Sequence, residues 1–457
     1  MRLSGLDLEL ATGGVWNNGM PDMVGGIGTD SRHFTAGHAF LALRGSQFDG
    51  HRYAHKVIGR AVALIGDAEG VQLWDNLAVP QLQVTDTLIA LGDIAHSWRL
   101  RLKGTTVIAI SGSYGKTSVR SLLQHCFGRL GKSVAGTRAN LNNLIGVPAT
   151  LLTVPENCDV AIIECGISEI GEMARLGHIV RPDIAVLTGL TTAHGQGLGG
   201  MDGIVREKAT LLAHLAPNGW CALGEGVQSK LVHAGLQLPD EALSQDDIHD
   251  NIVRWQLDGL KLDLIGDGER ASLELPLPAR HWAANMALCA SIVRHWFLRH
   301  ERTTLPLARI AEVLQEWQAD AGRLRLMAGK NRSTILDDSY NANPASMQAA
   351  LDTLKSMDGN RIAILGDMAE LGAEAAALHA ALNTTDIDEL ILIGPHMQHL
   401  ARQHAHAVWF ESTDAAVKGL QSRQLTTQDR VLVKASRSMR LENIVALFAT
   451  GDEGHAV

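Results

Sequence analysis

The chain has 457 residues, which is longer than one ordinary domain, and we expect two to three domains. Its composition, 46% hydrophobic and 19% charged, is that of a globular protein. A formal net charge of −9 argues against a nucleic-acid-binding protein, because affinity for a phosphate backbone needs a basic face.

The N-terminus and the cysteines both indicate a cytoplasmic protein. The first residues lack the apolar core of a signal peptide, and no segment reaches the roughly 18 uninterrupted apolar residues of a membrane span, so we expect no membrane insertion. Scattered cysteines without Cys-x-x-Cys spacing predict reduced, mostly buried thiols and argue against structural zinc. These cysteines are Cys126, Cys158, Cys165, Cys221 and Cys289.

Residues 1–86 are predicted to form a first α/β unit. Short apolar runs at 38–43, 61–65 and 81–84 are strand candidates, and turns rich in Gly and Asp separate them. Apolar residues then recur at helical spacing over 87–103, which predicts a linker helix that packs along one face.

Two further α/β units are expected, a central unit over 87–322 that includes the linker helix and a last unit over 323–457. The strands predicted in the central unit are 107–110, 160–163, 184–187 and 220–223. Those predicted in the last unit are 334–336, 362–365, 390–393 and 431–433. Continuous apolar strands that alternate with helices are typical of parallel sheets covered on both faces, and two such units in series predict a ligand cleft between them.

The motif Gly-x-x-Gly-Lys-Thr at 112–117 follows an apolar strand and precedes a helix-compatible segment, 118–130. Backbone N–H groups and a helix N-terminus then point at one spot, which suits an anionic phosphate chain. Lys116 would neutralise phosphate charge and the Thr117 hydroxyl would bind Mg²⁺. The longer phosphate-loop pattern needs a glycine at Ile110, so a strand–turn–helix junction with a chance lysine is the alternative. The order of strand, turn and helix favours the interpretation that this loop binds a nucleoside triphosphate.

Glu164 ends the apolar strand that is predicted at 160–163. A carboxylate at the carboxyl end of a strand, beside a phosphate loop, can hold Mg²⁺. The alternative is a glutamate at the surface edge of the sheet. We favour the metal, because the apolar residues before Glu164 place it at the mouth of the strand.

Two other segments carry polar groups that allow more than one interpretation. His194 follows a buried strand and Lys208 lies in a helix-like stretch, but by themselves they are typical of a loop histidine and a solvated lysine. The string Asp-Asp-Ser-Tyr-Asn-Ala-Asn-Pro at 337–344 suits the ribose and base of a nucleotide, or an Asx-rich turn held by its own side chains.

Taken together, these segments resemble the Mur ligases over nearly the whole chain, and most closely the members that join UDP-N-acetylmuramoyl-tripeptide to D-alanyl-D-alanine. The string at 337–344 is the most specific of them. The other segments that carry the resemblance are 30–32, 43–51, 112–117, 137–148, 193–194, 280–285, 322–323, 365–372 and 434–439.

The resemblance implies three α/β domains: an N-terminal domain that binds the UDP-substrate, a central ATPase-like domain with a parallel sheet, and a Rossmann-like C-terminal domain. It also implies ATP and two Mg²⁺ ions. Thr117 and Glu164 would hold one ion, while His194 and a CO2-modified (carbamylated) Lys208 would serve the second. Residues implied to contact ATP are Gly112, Ser113, Gly115, Lys116, Thr117, Ser118, Asn285, Arg323 and Asp337.

For the UDP-peptide and the dipeptide acceptor, the resemblance implies Ser31, Arg32, Thr137, Asn140, Asn341 and Asn343. We expect a cytoplasmic monomer with these small-molecule partners. One alternative is a Mur-like ligase with another acceptor, which the UDP-binding segment at 30–32 disfavours. The other is a phosphate-loop NTPase without ligase chemistry, in which Glu164, His194 and Lys208 would have no role.

Overall fold

Four β-sheets form the framework of the described part of the chain, which covers residues 1–45, 48–191, 198–247 and 252–450 of a computed structural model. The strands of the first sheet are β1 (Val15–Asn17), β2 (Ile27–Gly28), β3 (Ala39–Leu41), β4 (Ala63–Gly66) and β5 (Gln81–Gln83). They lie in the order β1-β5-β4-β3-β2, with β1 antiparallel to β5 and the others parallel. The three strands predicted in this unit are confirmed as β3, β4 and β5.

Helices α1 (Gly5–Thr12) and α2 (Ala68–Gln72) belong to the first unit, with short 3-10 turns at Ser31–His33 and Gly50–Lys56. The linker helix is confirmed as α3 (Thr87–Arg101). It begins where the Asp86 carboxylate accepts a hydrogen bond from the backbone N–H of Ile89, a standard way to satisfy a free helix N-terminus.

The second sheet is the central one, and all its strands are parallel. Its strands are β6 (Thr106–Ser111), β7 (Val134–Gly136), β8 (Val160–Glu164), β9 (Ile184–Leu187), β10 (Trp220–Leu223) and β11 (Ala242–Ser244), in the order β11-β10-β9-β6-β8-β7. Alternate residues of β6 enter two different cores, Ile108 and Ile110 on one side and Val107 and Ala109 on the other. The predicted parallel sheet with two covered faces is therefore confirmed.

The helices of the central unit cover this sheet. They are α4 (Lys116–Arg129), α5 (Gly146–Leu151), α6 (Glu172–Val180), α7 (Gly200–Ala209), α8 (Val227–His233), α9 (Arg280–Glu301) and α10 (Leu307–Gln315), with a 3-10 turn at Thr210–His214. Helix α4 starts two residues before the predicted segment, because Gly115 takes the left-handed conformation that ends the loop and Lys116 is already helical.

A small antiparallel sheet, absent from our sequence prediction, is inserted before α9. Its strands are β12 (Arg254–Asp258), β13 (Lys261–Gly266) and β14 (Glu269–Glu274). The pattern that could have revealed it is the alternation of exposed and less exposed residues along β12, followed by tight turns at Gly259 and Gly268, both with positive φ.

The last sheet has the order β15-β16-β20-β17-β18-β19, in which only β15 is antiparallel to its neighbour. Its strands are β15 (Arg325–Ala328), β16 (Thr334–Asp338), β17 (Asn360–Gly366), β18 (Glu389–Ile393), β19 (Val408–Phe410) and β20 (Asp429–Lys434). Its helices are α11 (Pro344–Lys355), α12 (Ala375–Ala380), α13 (Gln398–Ala401), α14 (Thr413–Leu420) and α15 (Glu442–Phe448), with 3-10 turns at Lys330–Arg332, Gly372–Glu374 and Arg437–Met439. The four predicted strands of this unit are confirmed as β16, β17, β18 and β20.

The five cysteines are all buried and free, as expected. Among the described residues, no helix combines the length and the apolar character that a bilayer span requires.

Helix α3 joins the first and central sheets through one continuous apolar core. Leu91, Ile94 and Trp98 are buried in the same cluster as residues of α1 and of the central strands. The Trp98 indole also donates a hydrogen bond of 3.0 Å to the carbonyl of Val154, which ties the helix to the end of the α5 segment.

Substituting Trp98→Ala is expected to destabilise the protein by about 3–5 kcal/mol, because it opens a cavity and leaves a buried carbonyl without its donor. The midpoint of thermal unfolding, followed by circular dichroism, should fall by roughly 5–10 °C. The matched control is Leu100→Ala on the exposed side of the same helix, where Leu100 is 43% exposed and the midpoint should barely move. Equal shifts in the two variants would contradict the proposed role of α3.

Candidate active site

The phosphate loop connects the end of β6 to the start of α4, and its two glycines are needed for different reasons. Gly112 has φ +152°, and a Cβ there would lie 2.2 Å from the Thr188 hydroxyl oxygen. Gly115 has φ +81°, the left-handed conformation that side chains disfavour. The loop therefore presents its backbone at the N-terminus of a 14-residue helix, where an anion is favoured.

Lys116 folds back over this loop, and its Nζ donates to the carbonyl oxygen of Gly112 at 2.7 Å. Burial lowers the pKa of the Lys116 amine, and nearby Arg323 lowers it further, while Glu164 opposes the shift. A bound anion would offset the cost of burying this charge.

Glu164 lies at the carboxyl end of β8, and it is only 3% exposed. Thr117 Oγ1 lies 3.2 Å from its Oε2, and the Asn142 amide donates to its Oε1 at 3.0 Å. The Arg120 guanidinium lies 3.7 Å from the same carboxylate. The structure thus brings together Thr117 and Glu164, the hydroxyl and carboxylate that were predicted to share a metal.

The donor set around Glu164 fits Mg²⁺, a hard cation that prefers oxygen ligands and keeps several water molecules. One buried carboxylate and one hydroxyl are available beside the phosphate loop. Within the described ranges, no group of three His, Cys, Asp or Glu residues converges on a point. The residues present therefore suit an ion that is bound largely through substrate phosphates, and they do not suit a closed structural metal site.

Lys208 lies on α7, lines the same cavity as Glu164 and is 2% exposed. Burial, together with the positive charge of Lys116, lowers the pKa of its amine to about 7. The local sequence pattern favoured a solvated surface lysine at position 208, and this interpretation is wrong because Lys208 is buried. His194, the other residue expected at the second ion, lies outside the described residues.

The C-terminal unit supplies the opposite wall of the site. Arg323 Nη2 donates to Thr117 Oγ1 at 3.1 Å, and the Asn343 side-chain amide donates to the carbonyl oxygen of Ser113 at 3.3 Å. Asn343 also caps α11 by accepting from the backbone N–H of Ser346, so the positive end of α11 lies next to the phosphate loop.

Both walls enclose a cavity of about 1020 Å³. Most of the predicted site residues line it, namely Ser113, Gly115, Lys116, Thr117, Ser118, Asn140, Glu164, Lys208, Asn285, Arg323, Asn341 and Asn343. The predicted cleft between two α/β units is thus present, and the hydrogen bond from Asn343 to Ser113 joins its walls across 230 positions of the chain.

Asp337 and Thr137 do not line the cavity. The Asp337 carboxylate accepts from the backbone N–H of Gly322 and from the Ser339 hydroxyl, at 2.9 and 2.6 Å. Thr137 Oγ1 accepts from the backbone N–H of Glu164 at 2.8 Å. These two side chains hold other parts of the site in place, so the expected direct contacts of Asp337 with adenosine and of Thr137 with the UDP-peptide are not what this geometry favours.

Ser31, Arg32 and Gly112 are also absent from the cavity lining. Ser31 and Arg32 lie in the first unit, where Arg32 forms an exposed ion pair with Asp30 at 2.7 Å. Gly112 is the first residue of the loop, and its carbonyl oxygen accepts from Lys116 Nζ.

Several cavity residues were not singled out individually by sequence reasoning. They are Tyr114, Asn142, Trp255, Arg280, Asp338, Tyr340, Lys434 and Arg437. Asp338 and Tyr340 follow Asp337 in an alternating pattern, and strand periodicity could have separated the two faces of this segment. Trp255 belongs to the small antiparallel sheet that the prediction missed, so no sequence signal placed it near the loop.

Comparison with known proteins agrees with this architecture. Residues 23–99 match the Mur ligase family catalytic domain, 110–293 the Mur ligase middle domain, and 322–437 the Mur ligase glutamate ligase domain. The UDP-N-acetylmuramoyl-tripeptide--D-alanyl-D-alanine ligase of Escherichia coli is 32% identical over 92% of both chains. The enzyme of that name from Bacillus subtilis is 29% identical over 93% of both chains.

A crystal structure of MurF from Acinetobacter baumannii has the same fold, with a TM-score of 0.85, 27% identity and 98% of both chains covered. The three-domain α/β organisation expected from the sequence is thus confirmed. The chain belongs to the Mur ligase family.

Proposed function

We propose that this chain is an ATP-dependent ligase that adds D-alanyl-D-alanine to UDP-N-acetylmuramoyl-tripeptide, a step of peptidoglycan precursor synthesis. Its relatives of that name cover nearly its whole length. The structural observation that carries the proposal is the contact of Arg323 with Thr117, which closes the phosphate loop with a residue of the C-terminal unit. Phosphate-loop NTPases can also use such an arginine, so the similarity to the named ligases over nearly the whole chain is what favours a ligase.

The three units divide the work in this proposal. Residues 1–86 bind the UDP end of the donor, with Ser31 and Arg32 at that site, and 87–322 bind ATP. Residues 323–457 contribute Arg323 and bind the dipeptide acceptor. Asn140, Asn341 and Asn343 face the peptide and the acceptor, while Thr137 acts by holding the backbone of Glu164.

ATP fits the central wall of the cavity. The loop backbone, Ser113, Ser118 and Lys116 surround the phosphates, and Asn285 approaches the loop so closely that a Cβ on Gly115 would lie 3.3 Å from its Oδ1. Asn285 therefore lies where the nucleoside leaves the phosphates. Asp337 contributes by fixing the Gly322 turn that carries Arg323.

Thr117 and Glu164 would hold one Mg²⁺, and Lys208 with His194 would serve a second. Bound Mg²⁺ neutralises phosphate charge and makes the γ-phosphorus more electrophilic. For Lys208 to act as an oxygen ligand, its neutral amine must add to CO2 and lose a proton, which gives an anionic carbamate. A pKa of about 7 leaves much of this amine neutral near pH 7, so the environment of Lys208 suits that reaction.

The reaction proceeds in two displacements. A carboxylate oxygen of the tripeptide attacks the γ-phosphorus, and the bond from that phosphorus to the bridging oxygen breaks. ADP departs as the leaving group, and the tripeptide becomes an acyl phosphate. The amine of D-alanyl-D-alanine then attacks the acyl carbon, phosphate departs, and the amine loses its proton as the amide forms. Lys116 and Arg323 stabilise the charge that moves onto the phosphate oxygens. Closure of the C-terminal wall onto the central wall would keep water from the acyl phosphate.

We propose that the enzyme acts as a cytoplasmic monomer. Its partners in this proposal are small molecules, and neither nucleic acid nor membrane insertion is part of it. A Mur-like ligase with another acceptor would share the same donor chemistry, so the acceptor is the substrate that an experiment must vary.

Phosphate release is expected only when ATP, UDP-N-acetylmuramoyl-tripeptide and D-alanyl-D-alanine are all present. Glu164→Gln should lower its rate by at least about a hundredfold, because loss of the carboxylate charge weakens metal binding at the reacting phosphate. Glu169→Gln, an exposed glutamate five residues further on, is the matched control and should keep the wild-type rate. A rate of phosphate release that does not depend on either peptide substrate would contradict the ligase proposal.

Lys208→Ala should lose most activity, and a short-chain carboxylate such as acetate should restore part of it by replacing the carbamate oxygens. With 13C-labelled bicarbonate, the wild type should show a carbamate carbon signal by NMR that Lys208→Ala lacks. This signal should weaken as the pH falls below about 7, because the protonated amine cannot add to CO2. Lys103→Ala, at an exposed lysine, is the control. An unchanged rate in Lys208→Ala would exclude the carbamate.

A further inference from the structure

The Tyr340 ring on the C-terminal side of the cavity contacts two guanidinium groups. The Arg323 guanidinium carbon lies 4.1 Å from the ring centroid, and that of Arg437 lies 5.6 Å from it. All three residues line the cavity, and the shared ring places the two guanidinium carbons within about 10 Å of each other. Arg437 is therefore near the phosphate loop, because Arg323 is hydrogen-bonded to Thr117.

The ring position is set by the backbone. The Tyr340 backbone N–H donates to the carbonyl oxygen of Gly322 at 3.1 Å. Gly322 has φ +72°, and a Cβ there would lie 2.8 Å from the Cβ of Tyr340. These contacts hold the backbone next to Arg323 at a fixed distance from Tyr340. The Tyr340 ring is thus a rigid surface on which Arg437 stacks.

Two exposed cations of the described cavity lining have capacity for a further anion, Arg437 on the C-terminal side and Arg280, which stacks on Trp255 of the central unit. Of the two, Arg437 is the one that shares the Tyr340 ring with Arg323. Lys434 is buried and pairs with Asp338 at 2.7 Å, and Arg323 is directed at Thr117. The side chain of Arg437 is 59% exposed, and its Nη1 donates to Glu442 at 2.9 Å. A guanidinium carries five N–H donors in a planar fork that matches a carboxylate, so the pair with Glu442 uses only part of it.

The size of the acceptor agrees with this position. Its amine must reach the activated carbonyl beside the phosphate loop, and an extended dipeptide spans roughly 7 Å. Its carboxylate then lies roughly 7 Å from the reacting carbonyl, a distance that is compatible with a guanidinium within about 10 Å of Arg323. Ala345 and Ala349, one turn apart on α11, also line the cavity and offer a small apolar surface for methyl side chains.

We propose that Arg437, stacked on Tyr340, binds the terminal carboxylate of the dipeptide acceptor and so makes the enzyme select a dipeptide with a free C-terminus. The assignment rests on the proposed function, because it takes D-alanyl-D-alanine as the acceptor.

The test compares D-alanyl-D-alanine with its C-terminal amide as acceptors, using phosphate release by the full-length enzyme. For the wild type, kcat/KM should fall at least about tenfold from acid to amide. Arg437→Gln should lower kcat/KM for the acid by a similar factor and treat acid and amide alike, while the KM values for ATP and the UDP-tripeptide stay within about twofold. Arg437→Lys should regain part of the preference, because it keeps the charge without the planar fork.

Arg440→Gln is the matched control, since Arg440 is an exposed arginine three residues further on that does not line the cavity, and it should keep the full preference for the acid. An Arg437→Gln enzyme that still prefers the acid as strongly as the wild type would overturn the proposal. A rise in the KM for ATP, with acceptor selection intact, would also overturn it and assign Arg437 to the nucleotide. Wild-type enzyme that releases phosphate without regard to the dipeptide would overturn the proposed function itself.

Discussion

The hydrogen bond from Arg323 to Thr117 joins two walls that carry different parts of the chemistry. The central wall brings the phosphate loop, Glu164 and Lys208, and the C-terminal wall brings a second cation and the start of α11. Neither wall alone encloses a phosphate group. Their contact forms a cavity lined by buried charged groups, where charge interactions are stronger than in water.

The charge balance inside this cavity explains which ligands it suits. Lys116, Arg120 and Arg323 lie around the buried carboxylate of Glu164. Burial lowers the pKa of the Lys116 and Lys208 amines. This local excess of positive charge is unfavourable until an anion arrives. The chain as a whole has a net charge of −9, so affinity for phosphates comes from the local arrangement of side chains and not from overall charge.

Two of the predicted site residues, Asp337 and Thr137, lie beside the cavity and not in its lining. Adjacent residues of a strand point to opposite faces, so a shift of one residue exchanges a cavity residue for a structural one. Asp338 lines the cavity while Asp337 holds the Gly322 turn, and the alternation of side chains along the strand is the only local signal that separates them. Thr137 also acts from outside the cavity lining, because its hydroxyl oxygen accepts a hydrogen bond from the backbone N–H of Glu164.

By itself, the sequence determined the local geometry, because a phosphate loop depends on residues that are neighbours in the chain. Glycines at 112 and 115, an apolar strand before them and a helix after them were enough to predict it. Only the tertiary structure decided what meets the loop. Arg323 reaches Thr117 across 206 positions, and the packing that brings them together depends on how sheets and helices dock over shared apolar cores. That docking is a property of whole surfaces, which no short segment encodes.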